Sequence, residues 1–235
     1  MATGKLYLIP TFLGENNPDL VPPEYVKIIH QISHFIAEHA KSARAFLKVI
    51  GTPVPMNDLQ IDELNKHTNP AEINQFLQPC LNGMNMGLMS DAGLPCVADP
   101  GYQIVRLAHK HQVEVIPFHG LSSVMMTLMA SGLNGQQFRF HGYLSHDKDL
   151  RRKTLRNCLD DLRKGETQLF IETPYRNRQF VEELAAVLPA ETVMVIGIDL
   201  SLPSQQILRF RLKDRPKNLD DLHKRPAVFA LGQDH

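Results

Sequence analysis

The chain has 235 residues, of which 43% are hydrophobic and 21% are charged, a composition that excludes a disordered chain and allows one large core or two small ones. Lys plus Arg and Asp plus Glu are both 25, so the protein has no overall positive charge that would attract it to nucleic acid or to an anionic membrane. A local basic patch is still compatible with this composition. The three cysteines lack paired spacing, which argues against a disulfide framework or a cysteine-rich zinc site and favours a reducing cytoplasm. No apolar run approaches the ~20 residues that span a bilayer, so no membrane contact is expected.

Short apolar runs alternate with longer amphipathic stretches from one end of the chain to the other, a pattern that predicts an α/β protein with largely parallel strands. Strand-like runs are predicted at 5–9, 33–37, 87–90 and 113–117, and residues 56–64 could form either a loop or a short strand. The intervening helices are predicted at 24–32, 41–50, 70–81 and 101–111.

The second half begins with a helix from about Ser122 and continues with a different order of elements. The remaining helices are predicted at 147–164 and 176–188, and the strands at 138–143, 167–172, 192–198, 206–212 and 227–231. Some of the last three strands lack long crossovers, so this half is predicted to hold a mixed sheet. We expect two α/β domains, residues 1–117 and 118–235, although no Pro/Gly/Ser-rich linker marks the boundary.

The stretch "MSDAGLPCVADPGY", residues 89–102, crowds two aspartates, two glycines and two prolines against the end of a predicted strand. Ligands of open α/β sheets bind outside the carboxyl ends of the strands, which makes this a candidate ligand loop. Its carboxylates could accept hydrogen bonds from an amine or from ribose hydroxyls. Alternatively, Asp91 and Asp99 cap turns or helices and the glycines satisfy backbone geometry.

Other local signals favour structural roles. The sequence has neither a GxGxxG motif after its first strand nor a GxxxxGK[ST] motif, so a nicotinamide cofactor or nucleoside triphosphate has no direct support. A basic stretch on the predicted helix 147–164 is interpreted as a solvated face rather than an RNA contact; it comprises Lys148, Arg151, Arg152, Lys153 and Arg156. Met125, Met126 and Met129 are predicted to fill gaps in the core.

Four segments taken together, "GLMSDAGLPCVADPGYQIV", "IPFHGLSSVMMTLMASGL", "FRFHGYL" and "FIETPYR", resemble consecutive motifs of the tetrapyrrole methylase superfamily. The resemblance is strongest to its branch of bacterial ribosomal RNA small-subunit ribose 2'-O-methyltransferases. It implies two α/β domains with S-adenosylmethionine in the cleft between them, a homodimer, and neither a metal nor a bound prosthetic group.

The resemblance also implies which residues bind the cofactor. The loop at Asp91, Gly93 and Pro95 would hold the methionine amine and carboxylate, and Ser122 and Ser123 would offer hydroxyls and backbone donors at a helix start. The residues implied to wall the adenosine side are Thr173, Pro174, Leu200 and Ala227.

The implied acceptor is a ribose 2'-hydroxyl of ribosomal RNA, and the candidates for the base that removes its proton are Glu38, His39 and Asp91. The branch pattern E-D-T-R is here Glu38-His-Ala-Lys41, which keeps the glutamate and loses the aspartate. The late pattern R-E-L-T-K is here Ile198-Asp-Leu-Ser-Leu202, which lacks the arginine and the lysine. Two alternatives therefore stay open: methylation of a tetrapyrrole carbon, and a cofactor-binding protein that has lost catalysis.

Overall fold

The computed structural model describes residues 3–234. The chain divides into two compact units between Ser122 and Ser123. The predicted boundary between folding domains, after residue 117, stays a prediction. No helix within residues 3–234 combines the length and the apolar character that crossing a bilayer requires.

The first unit contains a five-stranded sheet in the order β3-β2-β4-β1-β5. All its pairings are parallel, which confirms the predicted parallel sheet. The strands are β1 Lys5–Ile9, β2 His34–Ala37, β3 Gln60–Glu63, β4 Met86–Met89 and β5 Glu114–Pro117. The residues 56–64, left open between loop and strand, thus supply the short edge strand β3.

The helices of the first unit cover the faces of this sheet with apolar side chains. They are α1 Pro23–Ile29, α2 Ala40–Val49, α3 Pro70–Phe76, α4 Gln78–Leu81 and α5 Tyr102–Lys110. On α2 the buried residues are Ala43, Phe46 and Leu47, spaced as one helical face. The single helix predicted over 70–81 is wrong, because the helix breaks at Leu77, where Pro79 cannot donate to the carbonyl of residue 75.

The strand order determines which loops are neighbours. In a parallel sheet all carboxyl ends lie at one edge, and β4 lies between β2 and β1. The register pairs Met89 with both Ala37 and Ile9, the last residues of the two flanking strands. The residues that follow β2, β4 and β1 therefore emerge side by side at this carboxyl edge.

The second unit contains a mixed sheet in the order β6-β7-β10-β8-β9. The β6–β7 pair is parallel and the other pairs are antiparallel, which confirms the predicted mixed sheet. The strands are β6 Phe138–Tyr143, β7 Thr167–Ile171, β8 Val193–Ile198, β9 Gln206–Arg211 and β10 Ala227–Gly232. The helices are α6 Ser123–Ser131, α7 Lys148–Arg163 and α8 Asn177–Val187.

Alternate residues of β8 supply two different apolar clusters, as the two faces of a strand require. Val193 and Val195 pack in one cluster with Val124 and Leu128 of α6. Met194 and Ile196 belong to the cluster formed with α7 and α8 on the opposite face. Helices therefore cover both faces of the second sheet.

Helix α6 does not pack against the sheet through the face that was predicted, the one that carries its methionines. Met125 and Met129 are 41% and 80% exposed, so the prediction that they fill the core is wrong, whereas Thr127 is fully buried. A Cβ atom at Gly197 would lie 2.3 Å from Thr127 Oγ1, which shows how closely this side of α6 approaches β8. Because the helix is apolar nearly all round, the sequence does not select its buried face.

Arg151, predicted to lie on a solvated basic face, is instead 2% exposed. Its Nε donates to both carboxylate oxygens of Glu183 on α8, at 2.9 and 2.7 Å, and its Nη1 donates to the Ser145 carbonyl. The neighbouring Arg152, Lys153 and Arg156 are exposed, as the interpretation of a solvated face requires. The arginine therefore joins α7 to α8 within the core of the second unit.

Replacing Arg151 with Met should lower the free energy of unfolding by about 2–3 kcal/mol, because it leaves the largely buried Glu183 carboxylate without its partner. Arg152→Met on the same helix is the matched control and should change it by less than ~0.5 kcal/mol. Urea unfolding followed by circular dichroism measures both, since the chain has no tryptophan. Equal stabilities of the two variants would contradict a structural role for the pair.

Candidate functional site

The three residues predicted as base candidates lie together at the carboxyl edge of the first sheet. Glu38 and His39 directly follow β2, and Asp91 comes two residues after the end of β4. His39 Nδ1 lies 2.6 Å from Asp91 Oδ2, and the Asp91 N–H donates to Glu38 Oε2 at 3.3 Å. The sheet order thus connects residues 52 positions apart into one hydrogen-bonded group.

Two residues that the sequence did not single out hold the backbone around His39. Glu63 Oε1 accepts a hydrogen bond of 2.7 Å from the Ala40 N–H, and Asn65 Nδ2 donates to the Glu38 carbonyl at 3.3 Å. Glu63 is the last residue of β3, beside β2 in the sheet. Had residues 56–64 been assigned as a strand beside β2, the sequence would have predicted Glu63 next to Glu38 and His39.

The surroundings change the acidity of this group. The hydrogen bond and charge of Asp91 raise the pKa of His39, whose side chain is 60% exposed and so reachable by a substrate. Burial raises the pKa of Glu38, and the hydrogen bond from the Asp91 N–H opposes that effect. In neutral His39 the proton lies on Nδ1, facing the carboxylate, which leaves the lone pair of Nε2 available as a proton acceptor.

The loop after β4 is attached to the end of β1. The Thr11 N–H donates to the Gly93 carbonyl at 3.0 Å, and Thr11 Oγ1 donates to the Ser90 carbonyl at 3.1 Å. Gly93 has a φ of +77°, and a Cβ atom there would lie 3.0 Å from Leu13 and 3.3 Å from the Leu121 carbonyl oxygen. A glycine at this position therefore keeps the loop backbone close to the β1 loop.

The second aspartate of the loop has a different task from the first. The Asp99 carboxylate accepts hydrogen bonds from the N–H groups of Cys96 and Gly101, at 2.8 and 2.7 Å. Between them the backbone turns through positive φ at Cys96 and Ala98, a conformation that costs energy in non-glycine residues. The capping interpretation thus describes Asp99, whereas the Asp91 carboxylate pairs with His39.

The predicted cofactor residues of the second unit lie along one edge of its sheet. Thr173 and Pro174 follow β7, Leu200 follows β8, and Ala227 begins β10, which runs antiparallel to both strands. The Thr173 N–H donates to Glu172 Oε1 at 2.8 Å. In the first unit Pro95 lies in the β4 loop, and the serine pair lies at the division of the units, with Ser123 the first residue of α6.

The segment that lacks the family's arginine and lysine contains a buried ion pair instead. Asp199 is 7% exposed and accepts hydrogen bonds of 2.8 Å from Arg225 Nε and from Ser204 Oγ. Arg225 Nη2 also donates to the Ser204 carbonyl at 2.7 Å. This network holds the turn after β8 against the start of β10, beside Leu200 and Ala227. Among residues 3–234, no group of three or more His, Cys, Asp or Glu side chains has a metal-binding arrangement.

Comparisons with known proteins give consistent matches along nearly the whole chain. The model of the family Tetrapyrrole (Corrin/Porphyrin) Methylases matches residues 5–215. A protein of Pseudomonas aeruginosa named ribosomal RNA small subunit methyltransferase I is 26% identical over 86% of this chain and 68% of its own length. The protein of that name from Haemophilus influenzae is 27% identical over 97% of this chain and 78% of its own length.

Solved structures with the same fold include the methyltransferase CobJ, with a TM-score of 0.66 and 16% identity over 98% of this chain and 95% of that one. A second is the cobalamin biosynthetic enzyme cobalt precorrin-4 methyltransferase, CbiF, with a TM-score of 0.61 and 16% identity over 97% and 94% of the two chains. At this identity the likeness shows the fold alone.

Replacing Asp91 with Asn should bring the pKa of His39 back towards the ordinary value of about 6.5, because the amide cannot stabilise the imidazolium by charge. The stabilisation from the intact pair is complete below the pKa of an unfolded histidine and is lost as pH rises through the higher folded pKa. NMR titration of His39, assigned with a His39→Gln variant, measures the change. Asp58→Asn, at an exposed carboxylate elsewhere in the unit, is the control; equal His39 titrations in the two variants would contradict the pair.

Proposed function

Since the chain belongs to the tetrapyrrole methylase family, we propose that it transfers the methyl group of S-adenosylmethionine to a ribose 2'-hydroxyl of small-subunit ribosomal RNA. The choice of this acceptor is based on the similarity, over nearly the full chain, to proteins named for small-subunit ribosomal RNA methylation. The Glu38–His39–Asp91 group supports it, because it supplies the proton acceptor that methylation of a hydroxyl requires.

The proposed reaction forms a carbon–oxygen bond at the ribose and breaks the bond between the methyl carbon and the sulfonium sulfur, which leaves as a neutral thioether. The hydroxyl proton is released in the same reaction. Bound S-adenosylmethionine supplies an electrophilic methyl group on a sulfonium. His39 Nε2 accepts the proton as the oxygen becomes methylated, and the Asp91 carboxylate stabilises the resulting imidazolium at 2.6 Å. Glu38 is a positioning residue, since its carboxylate accepts from the Asp91 N–H and so orients the loop that carries Asp91.

The residues proposed to hold the cofactor suit an amino acid joined to a nucleoside. In the first unit they are Asp91, Gly93 and Pro95, with Ser122 at its end; the positive φ and close packing at Gly93 support a loop backbone that a ligand approaches directly. Ser123 begins α6, where backbone donors favour a carboxylate. The proposed adenosine contacts of the second unit are Thr173, Pro174, Leu200 and Ala227.

The alternative in which catalysis has been lost rests only on the arginine and lysine that the segment Ile198 to Leu202 lacks. The structures of tetrapyrrole enzymes share the fold at low identity, and fold alone does not select an acceptor. Against loss of catalysis, the carboxyl edge holds a histidine paired to a carboxylate, a group that can accept a proton. We also propose that the protein is cytoplasmic, because its proposed substrate is ribosomal RNA and its cysteines are free thiols. We propose a homodimer from the family resemblance.

Gly93→Val should weaken S-adenosylmethionine binding by tenfold or more in calorimetry, because a branched side chain at positive φ displaces the loop. Gly51→Val is the matched control, since Gly51 has a φ of +70° with open space around its Cβ position. Its affinity should equal that of the native chain. Absence of binding by the folded native protein would contradict methyl transfer altogether.

His39→Ala should lower the rate of single-turnover methylation of small-subunit RNA by about 100-fold or more, with cofactor affinity unchanged. Only neutral His39 accepts a proton, so the native rate should rise with pH through the raised pKa of His39. In Asp91→Asn this rise should shift to lower pH and reach a lower maximum, because the imidazolium has lost its counter-charge.

The control for His39→Ala is the exposed His111→Ala, which should leave rate and pH profile as they are. Full activity of the His39 variant would remove His39 as the base. Cofactor binding by the native chain without turnover on RNA would instead favour the reading in which catalysis has been lost.

A further inference from the structure

A pocket with a volume of about 220 Å³ opens between the loop after β1 and helix α2, entirely within the first unit. This volume lies below the range of about 300–1,000 Å³ typical of sites for drug-sized ligands. It suits a group as small as one nucleoside. None of the residues predicted from the sequence as cofactor contacts, except Asp91, lines it.

The lining of this pocket has the chemistry of a nucleoside site. Phe12 and Phe46 line it, with ring centroids 5.0 Å apart, and since they are only 8% and 3% exposed they give the pocket an apolar base. The Asn16 amide and the Ser42 hydroxyl provide the donors and acceptors that a base edge requires. Apolar rings and a few polar groups are thus combined in one small concave site.

Asp91 connects the pocket to the proposed base. Its side chain contributes to the lining, and its Oδ2 atom holds His39 Nδ1 at 2.6 Å. A ribose that lies against the Asp91 side of the pocket is therefore beside His39. The nearby acidic side chains already have partners: Glu38 accepts from the Asp91 N–H and Glu63 accepts from the Ala40 N–H.

Helix α2 also carries a row of cations next to the residues that line the pocket. Lys41, Arg44 and Lys48 are spaced three and four residues apart, so they share one face of the helix, and all three are exposed. Within residues 3–234 none of them forms an ion pair. Since the chain has no net positive charge, such unpaired cations are what a phosphate backbone would contact.

We propose that this pocket binds the acceptor nucleoside, turned out of its RNA strand. Lys41 and Arg44, followed by Lys48 on the same face of α2, bind the phosphates on either side of that nucleoside. The inference rests on the proposed function and adds where the RNA binds. It assigns to α2 the phosphate contacts that the segment Ile198 to Leu202 cannot provide. A flipped nucleoside is read through its polar edge, for which the pocket supplies the Asn16 amide and the Ser42 hydroxyl.

The test of the cationic row is the affinity of transcribed small-subunit RNA, measured by fluorescence anisotropy without cofactor. Lys41→Gln/Arg44→Gln should weaken binding by tenfold or more and reduce the salt dependence of log K by about 1.5, the loss of two phosphate contacts. Arg152→Gln/Lys153→Gln on α7 removes two exposed cations elsewhere and should change neither. Calorimetry with S-adenosylmethionine should give the same affinity for both variants.

The test of the pocket is zero-length ultraviolet crosslinking of the same RNA, with the attached peptides identified by mass spectrometry. Crosslinks on the peptides that contain Phe12 or Phe46 are expected, and Ser42→Trp, which fills the pocket, should abolish them while anisotropy still detects phosphate-dependent binding. Crosslinks confined to the second unit, or an unchanged affinity of the α2 variant, would overturn the inference.

Failure of this inference is distinguishable from failure of the proposed function. RNA methylation that survives the α2 and Ser42 variants would refute the RNA site and leave the function standing. RNA binding that depends on α2 without methyl transfer would support the site and refute the function. A native protein that neither binds nor methylates the RNA would refute both.

Discussion

The position of β4 between β2 and β1 is the constraint on which the candidate site depends. Parallel pairing on both sides of β4 places three carboxyl ends in a row, so that Glu38, Asp91 and Thr11 follow neighbouring strands. The hydrogen bonds from Thr11 to the β4 loop and from His39 to Asp91 are then short-range contacts between adjacent loops. A different strand order with the same sequence segments would separate the proposed base from the carboxylate that orients it.

The His39–Asp91 pair also gives a physical account of how this chain departs from the branch that it resembles. The branch has an aspartate at the position of His39, and a second carboxylate there would repel Asp91 at 2.6 Å. A histidine at that position is attracted instead, and the pair creates a proton acceptor whose orientation is fixed by Asp91. The histidine at position 39 therefore gives this edge its own chemistry, on a backbone that Glu63 and Asn65 hold.

The sequence predicted the architecture well because the inner strands of both sheets, such as β4, β8 and β10, are buried apolar runs, which hydrophobic patterns detect directly. It failed where tertiary packing decides: Met125 and Met129 face outward on a helix that is apolar nearly all round, and Arg151 is buried by its ion pair with Glu183. Motif resemblance brought Glu38, His39 and Asp91 into consideration, but only the strand order joins them. Glu63 was missed because β3, Gln60–Glu63, contains a single apolar residue and so gives no hydrophobic signal.

The zero net charge of the chain is a poor guide to its electrostatic surface, because charges differ in whether they already have partners. The described arginines of the second unit include Arg151, Arg178 and Arg225, which pair with Glu183, with Glu182 and Asp220, and with Asp199 and Asp221. These cations hold helices and turns together, and the carboxylates paired with them weaken their electric field at a distance. The cations along α2 have no such partner within residues 3–234, so their field extends into solvent. A protein without net charge can thus present a local cationic surface beside its candidate active site, provided that the cations of that surface have no carboxylate partner.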